Sequence, residues 1–165
     1  MKLKSLMTAA ALACVALSAV ADGAVDVQNA WARATVKGQM ATGAFMTLTA
    51  KDGAKLVGAA SPVAGVAQVH EMKMDGGVMK MNEVKGGLDL PAGKAVALKP
   101  GGYHIMLMDL KEQVVKDSTV PLTLTFKDAK GVESKLELKL PVTTTAPGAM
   151  AGMDHSKHSM PVAKP

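Results

Sequence analysis

Hydrophobic side chains recur at every second position in three separate stretches of this chain, and no other feature restricts its fold as much. Val120, Leu122, Leu124 and Phe126 alternate with Thr119, Pro121, Thr123 and Thr125. Leu136, Leu138 and Leu140 alternate with Glu137 and Lys139, and Ala44, Met46 and Leu48 with Phe45, Thr47 and Thr49. Successive side chains of an extended strand point to opposite faces, so this period places one face on a core and the other towards solvent. Pro121 cannot donate a ladder hydrogen bond and is expected on an edge strand. Asp75-Gly76-Gly77, between Met74 and Val78, reads as a hairpin turn. Pro91-Ala92-Gly93, Lys99-Pro100-Gly101-Gly102 and Lys127–Gly131 supply further turns. No long amphipathic helix competes. The expectation is an all-β sandwich or barrel over about residues 25–142.

The two ends of the chain differ from this middle. Lys2 and Lys4, an apolar run from Leu6 to Val20, and the small residues Ala19-Val20-Ala21 predict a cleaved secretory signal over residues 1–21. The run is short for a membrane span. Cys14, the single cysteine, lies inside it. Lipid attachment there fits poorly, because the apolar run continues through Val15, Ala16 and Leu17. A mature chain without thiols excludes disulfides, thiolate ligands and a blue-copper site, which requires Cys. Loss of Lys2 and Lys4 lowers the formal charge from +5 to +3. With Trp31, Tyr103, Phe45 and Phe126 as the only aromatics, nucleic-acid binding by base stacking is not expected. After Val142 the composition turns small and polar, which predicts a flexible tail over residues 143–165.

Histidine and methionine carry the chemistry. Methionine occurs 13 times, and all four histidines lie in two methionine-associated clusters. The central cluster, within Val69–Leu110, holds His70, His104 and six methionines: Met72, Met74, Met79, Met81, Met106 and Met108. In His104-Ile105-Met106 the first and third side chains share a strand face, so both can approach one ion. Imidazoles with thioethers suit a soft, monovalent metal, and Cu(I) is the natural candidate. Spacing alone does not choose among the methionines, and Met72, Met74, Met79 and Met108 read equally well as core packing. The second cluster contains Met150, Met153, Asp154, His155, His158 and Met160. In a flexible tail its imidazoles suit Cu(II) and its sulfurs Cu(I).

Several stretches resemble the periplasmic PCuAC copper chaperone family. They are His70–Met81, Leu90-Pro91-Ala92-Gly93 and Lys99–Met108, with Asn29–Arg33 before them and Thr119–Phe126 after them. The resemblance covers roughly residues 25–142. Its motif is His, about ten residues, Met, about 21 residues, then His-x-Met, which maps here onto His70, Met81, His104 and Met106. The second gap holds 22 residues, which leaves Met79 as the alternative to Met81. The resemblance implies a cupredoxin-like Greek-key β-barrel or sandwich with one Cu(I) site at its surface. It further implies a periplasmic, non-enzymatic carrier, monomeric and without a membrane span. Such a carrier delivers copper to the CuA-bearing subunit of cytochrome c oxidase, alongside a Sco-type thiol protein.

Other readings are copper storage or tolerance, and a β-sandwich interaction domain whose methionines are core. A hydrolase or oxidase is not expected, since no paired carboxylate or nucleophile–base motif accompanies the histidines.

Overall fold

The computed structural model describes residues 24–147. These form ten strands: β1 (Val25–Arg33), β2 (Ala41–Ala50), β3 (Ala54–Ala60), β4 (Ala64–Asp75), β5 (Val78–Glu83), β6 (Leu88–Leu90), β7 (Ala95–Leu98), β8 (Tyr103–Leu110), β9 (Thr119–Lys127) and β10 (Glu133–Thr143). No helix occurs among the described residues. The all-β expectation holds. The strands hydrogen-bond in the order β5-β4-β8-β7-β2-β1-β10-β9-β3-β6, with an added β8–β2 pairing, so β5 and β6 end one open, mixed sheet. β10 serves both halves of it. Residues 133–141 pair antiparallel with β9, while Val142 and Thr143 pair parallel with β1.

The two halves share one core. Leu48, Ile105 and Leu107 from one half cluster with Leu56, Leu122 and Leu124 from the other, all essentially inaccessible. Each fully buried Leu of this kind contributes about 1.5–3 kcal/mol. β9 buries Val120, Leu122, Leu124 and Phe126 as its alternation predicts.

Pro121 corrects one expectation. It lies on β9, between β10 and β3, and not on an edge strand. The β3 pairing stops at Ala60↔Thr123, so β9 is locally single-sided beyond it. The Pro121 carbonyl accepts from Ser61 Oγ at 2.6 Å on that side, and the ring nitrogen of the same residue faces the same way. No ladder bond is lost.

Two local features set the direction of side chains on the outer face of the sheet. Gly76 and Gly77 have φ of 58° and 82°, the double positive φ of a two-residue hairpin turn, and join β4 to β5 at Asp75↔Val78. On β1 the register with β2 slips between Gln28 and Trp31, with Asn29 at φ 52°. This bulge inserts one residue. Without it Trp31 would oppose Ala44 and face the core; with it Trp31 opposes Phe45 on the outer face.

β10 runs to Thr143, one residue past the change in composition, and the Thr143 carbonyl accepts from Ala34 N–H at 2.9 Å. The expected signal, residues 1–21, and the tail donors Met150, Met153, His155, His158 and Met160 lie outside the described residues.

Candidate metal centre

Three adjacent strands bring the central donors together. On β4 and β8, His70 opposes His104 and Gln68 opposes Met106. On β4 and β5, Met72 opposes Met81 and Met74 opposes Met79. Directly opposed residues share a face, so His70, Met72, Met81, His104 and Met106 all lie on the outer face, opposite in phase to Val69, Ile105 and Leu107 of the core. Met72, Met81, His104 and Met106 line one shallow cavity of about 220 Å³. His70 stands beside it, its ring centroid 6.0 Å from that of His104. Met79 is one rung further out and does not line the cavity.

The hydrogen bonds fix which nitrogens are free. His104 Nδ1 lies 3.0 Å from the Gly102 carbonyl, which can only accept, so Nδ1 carries the proton and Nε2 of the neutral ring keeps its lone pair. The same carbonyl accepts the Met72 N–H at 3.2 Å, tying the hairpin to the histidine. His70 Nε2 is 3.2 Å from Gln68 Oε1, leaving Nδ1 as the basic nitrogen. His70 Nδ1 is buried and has no hydrogen-bond partner. A buried acceptor left unpaired is costly, and a metal ion is one way to satisfy it. Burial chiefly, and His104 next, push the His70 pKa below its ordinary 6.5, against a smaller opposite pull from Glu83. His70 is therefore neutral and able to ligate at pH 7.

Sequence reasoning did not single out the wall of this site. Phe45 and Trp31 stack with centroids 4.6 Å apart on the outer face, and Phe45 lies 6.3 Å from His104. Arg33 caps both rings, its guanidinium carbon 5.3 Å from Phe45 and 5.9 Å from Trp31. The Phe45 ring lies over Gly43, where an added Cβ would meet Phe45 Cζ at 2.6 Å. Thr42 Oγ donates to the Arg33 carbonyl at 2.7 Å and holds the strands together beneath. The available signal was Phe45 itself, an aromatic in the polar phase of an alternating strand.

Two expectations change here. His104 is 5% exposed, so the site is not wholly superficial: Phe45 and His70 flank its ring. Met72, Met74, Met79 and Met108 are not core, because their strand positions alternate away from Val69 and Ile105. Among the described residues no three His, Cys, Asp or Glu side chains converge as a metal group. The donors that do converge are two imidazoles and thioethers, a set for a soft cation.

Comparison with known proteins places the chain. Residues 25–142 match the family described as "Putative lipoprotein LpqE-like". The chain belongs to this family. One relative, "Putative lipoprotein Lxx21020" of Leifsonia xyli subsp. xyli (strain CTCB07), is 40% identical over 108 residues, which are 66% of this chain and 64% of the relative. The alignment thus spans a little under two thirds of that relative's length. Among solved structures, apo-DR1885 from Deinococcus radiodurans is 30% identical with a TM-score of 0.53, covering 87% of this chain and 96% of that one. The Cu(I) form of DR1885 is 32% identical with a TM-score of 0.55, covering 74% and 79%. The apo PCuAC domain of PmoF1 shares the fold at 22% identity, with a TM-score of 0.56 and coverage of 73% and 96%. The LpqE-like chain is therefore built on the cupredoxin-like β fold of PCuAC domains.

Proposed function

We propose that this LpqE-like protein is an exported copper carrier that holds Cu(I) through His70, Met81, His104 and Met106. The observation that carries the reading is the pair of imidazoles, one with a buried unpartnered Nδ1, on the same sheet face as the thioethers. The Cu(I) form of DR1885 supports it from outside the chain. Met81 is preferred to Met79 because it shares the cavity with His104 and Met106. Four uncharged donors bind Cu(I) without the oxidation liability of thiolates. The nearby Arg33 charge favours a monovalent over a divalent ion in the same place. The task is transport and not turnover.

The carrier works in the periplasm after loss of residues 1–21 and passes Cu(I) to the CuA-bearing subunit of cytochrome c oxidase. A Sco-type protein acts on the same centre. The tail donors Met150, Met153, His155, His158 and Met160 capture copper, with His155 and His158 taking Cu(II). Passing that ion to the central site as Cu(I) takes one electron from a Sco-type thiol partner or a small reductant, since a chain cleaved after Ala21 has no thiol.

The test is transfer. Cu(I)-loaded protein is mixed anaerobically with an apo CuA domain, and one equivalent of a one-electron oxidant such as ferricyanide per two coppers transferred should then yield the purple mixed-valence centre. The His104→Ala, Met106→Ala double variant should give none under the same loading. Equal transfer by the double variant would defeat the proposal.

A further inference from the structure

The thioether face of the β4–β5 hairpin continues past the proposed ligands. Met74 and Met79 are register partners, one rung nearer the turn than Met72 and Met81. Met74 is 63% exposed and Met79 45%. The other face of the same arm is mostly polar, with Lys73, Lys80 and Asp75 beside the exposed Val78, and Lys80 Nζ lies 2.6 Å from Asp75. Both faces of the tip are open to water, yet one carries only methionine. Core packing does not account for these side chains, because β5 is exposed along its whole length.

Side chains directly opposed across an antiparallel pair have Cβ atoms about 4.5–5.5 Å apart, and methionine is flexible, so both sulfurs of a rung can meet on one soft ion. Successive rungs on one face are two residues apart, roughly 6.8 Å along the strand. The inner rung, Met72 and Met81, already lines the cavity that holds His104 and Met106.

We propose that Met74 and Met79 form a second, weaker Cu(I) subsite, the outer step of a thioether path that leads through Met72 and Met81 to the central site. The proposal rests on the Cu(I) reading above. The subsite is weaker because, among the described residues, its rung and the turn beyond it carry no histidine. Movement between rungs is ligand exchange: one Cu–S bond forms as another breaks, copper stays Cu(I), and neither electron nor proton is transferred.

The experiment is an anaerobic Cu(I) titration of the full chain carrying labelled methionine methyl groups. The first equivalent should shift the Met81 and Met106 methyls. Further Cu(I) should shift Met74 and Met79. The Met74→Leu, Met79→Leu double variant keeps the apolar face and removes its sulfur. It should retain the first event, lose the second, and release Cu(I) to a bathocuproine chelator several-fold more slowly. Met74 and Met79 methyls that stay unshifted at several equivalents would overturn the proposal, and would leave this face as a contact surface for a protein. Unchanged second-site binding and unchanged release in the leucine variant would overturn it equally. Shifts at Met74 and Met79 with none at Met81 and Met106 would instead defeat the central site and leave the subsite standing.

Discussion

Gly43→Ala tests the link between the aromatic wall and the histidine it covers. The new Cβ would sit 2.6 Å from Phe45 Cζ and 3.2 and 3.3 Å from the two Cε atoms. Ordinary contact begins near 3.4 Å, so the ring must retreat by most of an ångström. Trp31 blocks one direction at 4.6 Å between centroids, and Arg33 lies 5.3 Å from the ring. Overpacking of a pinned side chain costs about 1–3 kcal/mol. For a domain of this size each kcal/mol lowers Tm by roughly 4 °C, so the expected loss is roughly 4–12 °C. Phe45→Leu removes the clashing ring atoms and has its own cost. In that background the Gly43→Ala penalty should shrink by about 1 kcal/mol or more, a coupling expected only of residues in contact. Chemical denaturation of the four proteins of the cycle measures it. Equal Gly43→Ala penalties in both backgrounds would refute the claim that the glycine exists to seat Phe45.

The same geometry sets three other outcomes. Asn29→Val places a β-branched residue at φ 52°, so it should destabilise by about 1–3 kcal/mol and shift Trp31 fluorescence, whereas Asn29→Gly should be nearly neutral; a neutral Val variant would mean that the bulge does not hold Trp31 in place. His70 has a lowered pKa when folded, so the unfolded chain binds more protons just below pH 6.5. Apo-protein stability should therefore fall as pH drops from 6.5 towards the folded value, and His70→Gln should flatten that slope; a slope that survives in the variant assigns it elsewhere. For the same reason the His70 share of Cu(I) affinity, read by chelator competition as the difference between the wild type and His70→Gln, should hold between about pH 7.5 and 6.5 and weaken only below; a difference that shrinks from about pH 7.5 would contradict a depressed His70.

Much of the strand framework was legible because burial of one face forces a period of two, and β9 and the central part of β2 follow it. The Asp75-Gly76-Gly77 turn was legible because only residues tolerant of positive φ close a two-residue hairpin. The grouping of His70, His104 and Met106 was readable as a theme, but their opposition depends on the β4–β8 register, a non-local quantity that period does not fix. Pro121 was misplaced because an interior strand can be single-sided over part of its length. The wall of Trp31, Phe45 and Gly43 stayed hidden for a related reason: a one-residue bulge at Asn29 reverses which face Trp31 occupies, and nothing in β1's composition announces it.

Copper held by two imidazoles and two thioethers has a direct spectroscopic signature, and X-ray absorption of the protein loaded with one equivalent of Cu(I) reads it. Mixed nitrogen and sulfur scattering is expected, with the sulfur contribution reduced in both Met81→Leu and Met106→Leu and unchanged in Met79→Leu. A shell without sulfur, or one altered by Met79→Leu alone, would contradict this ligand set.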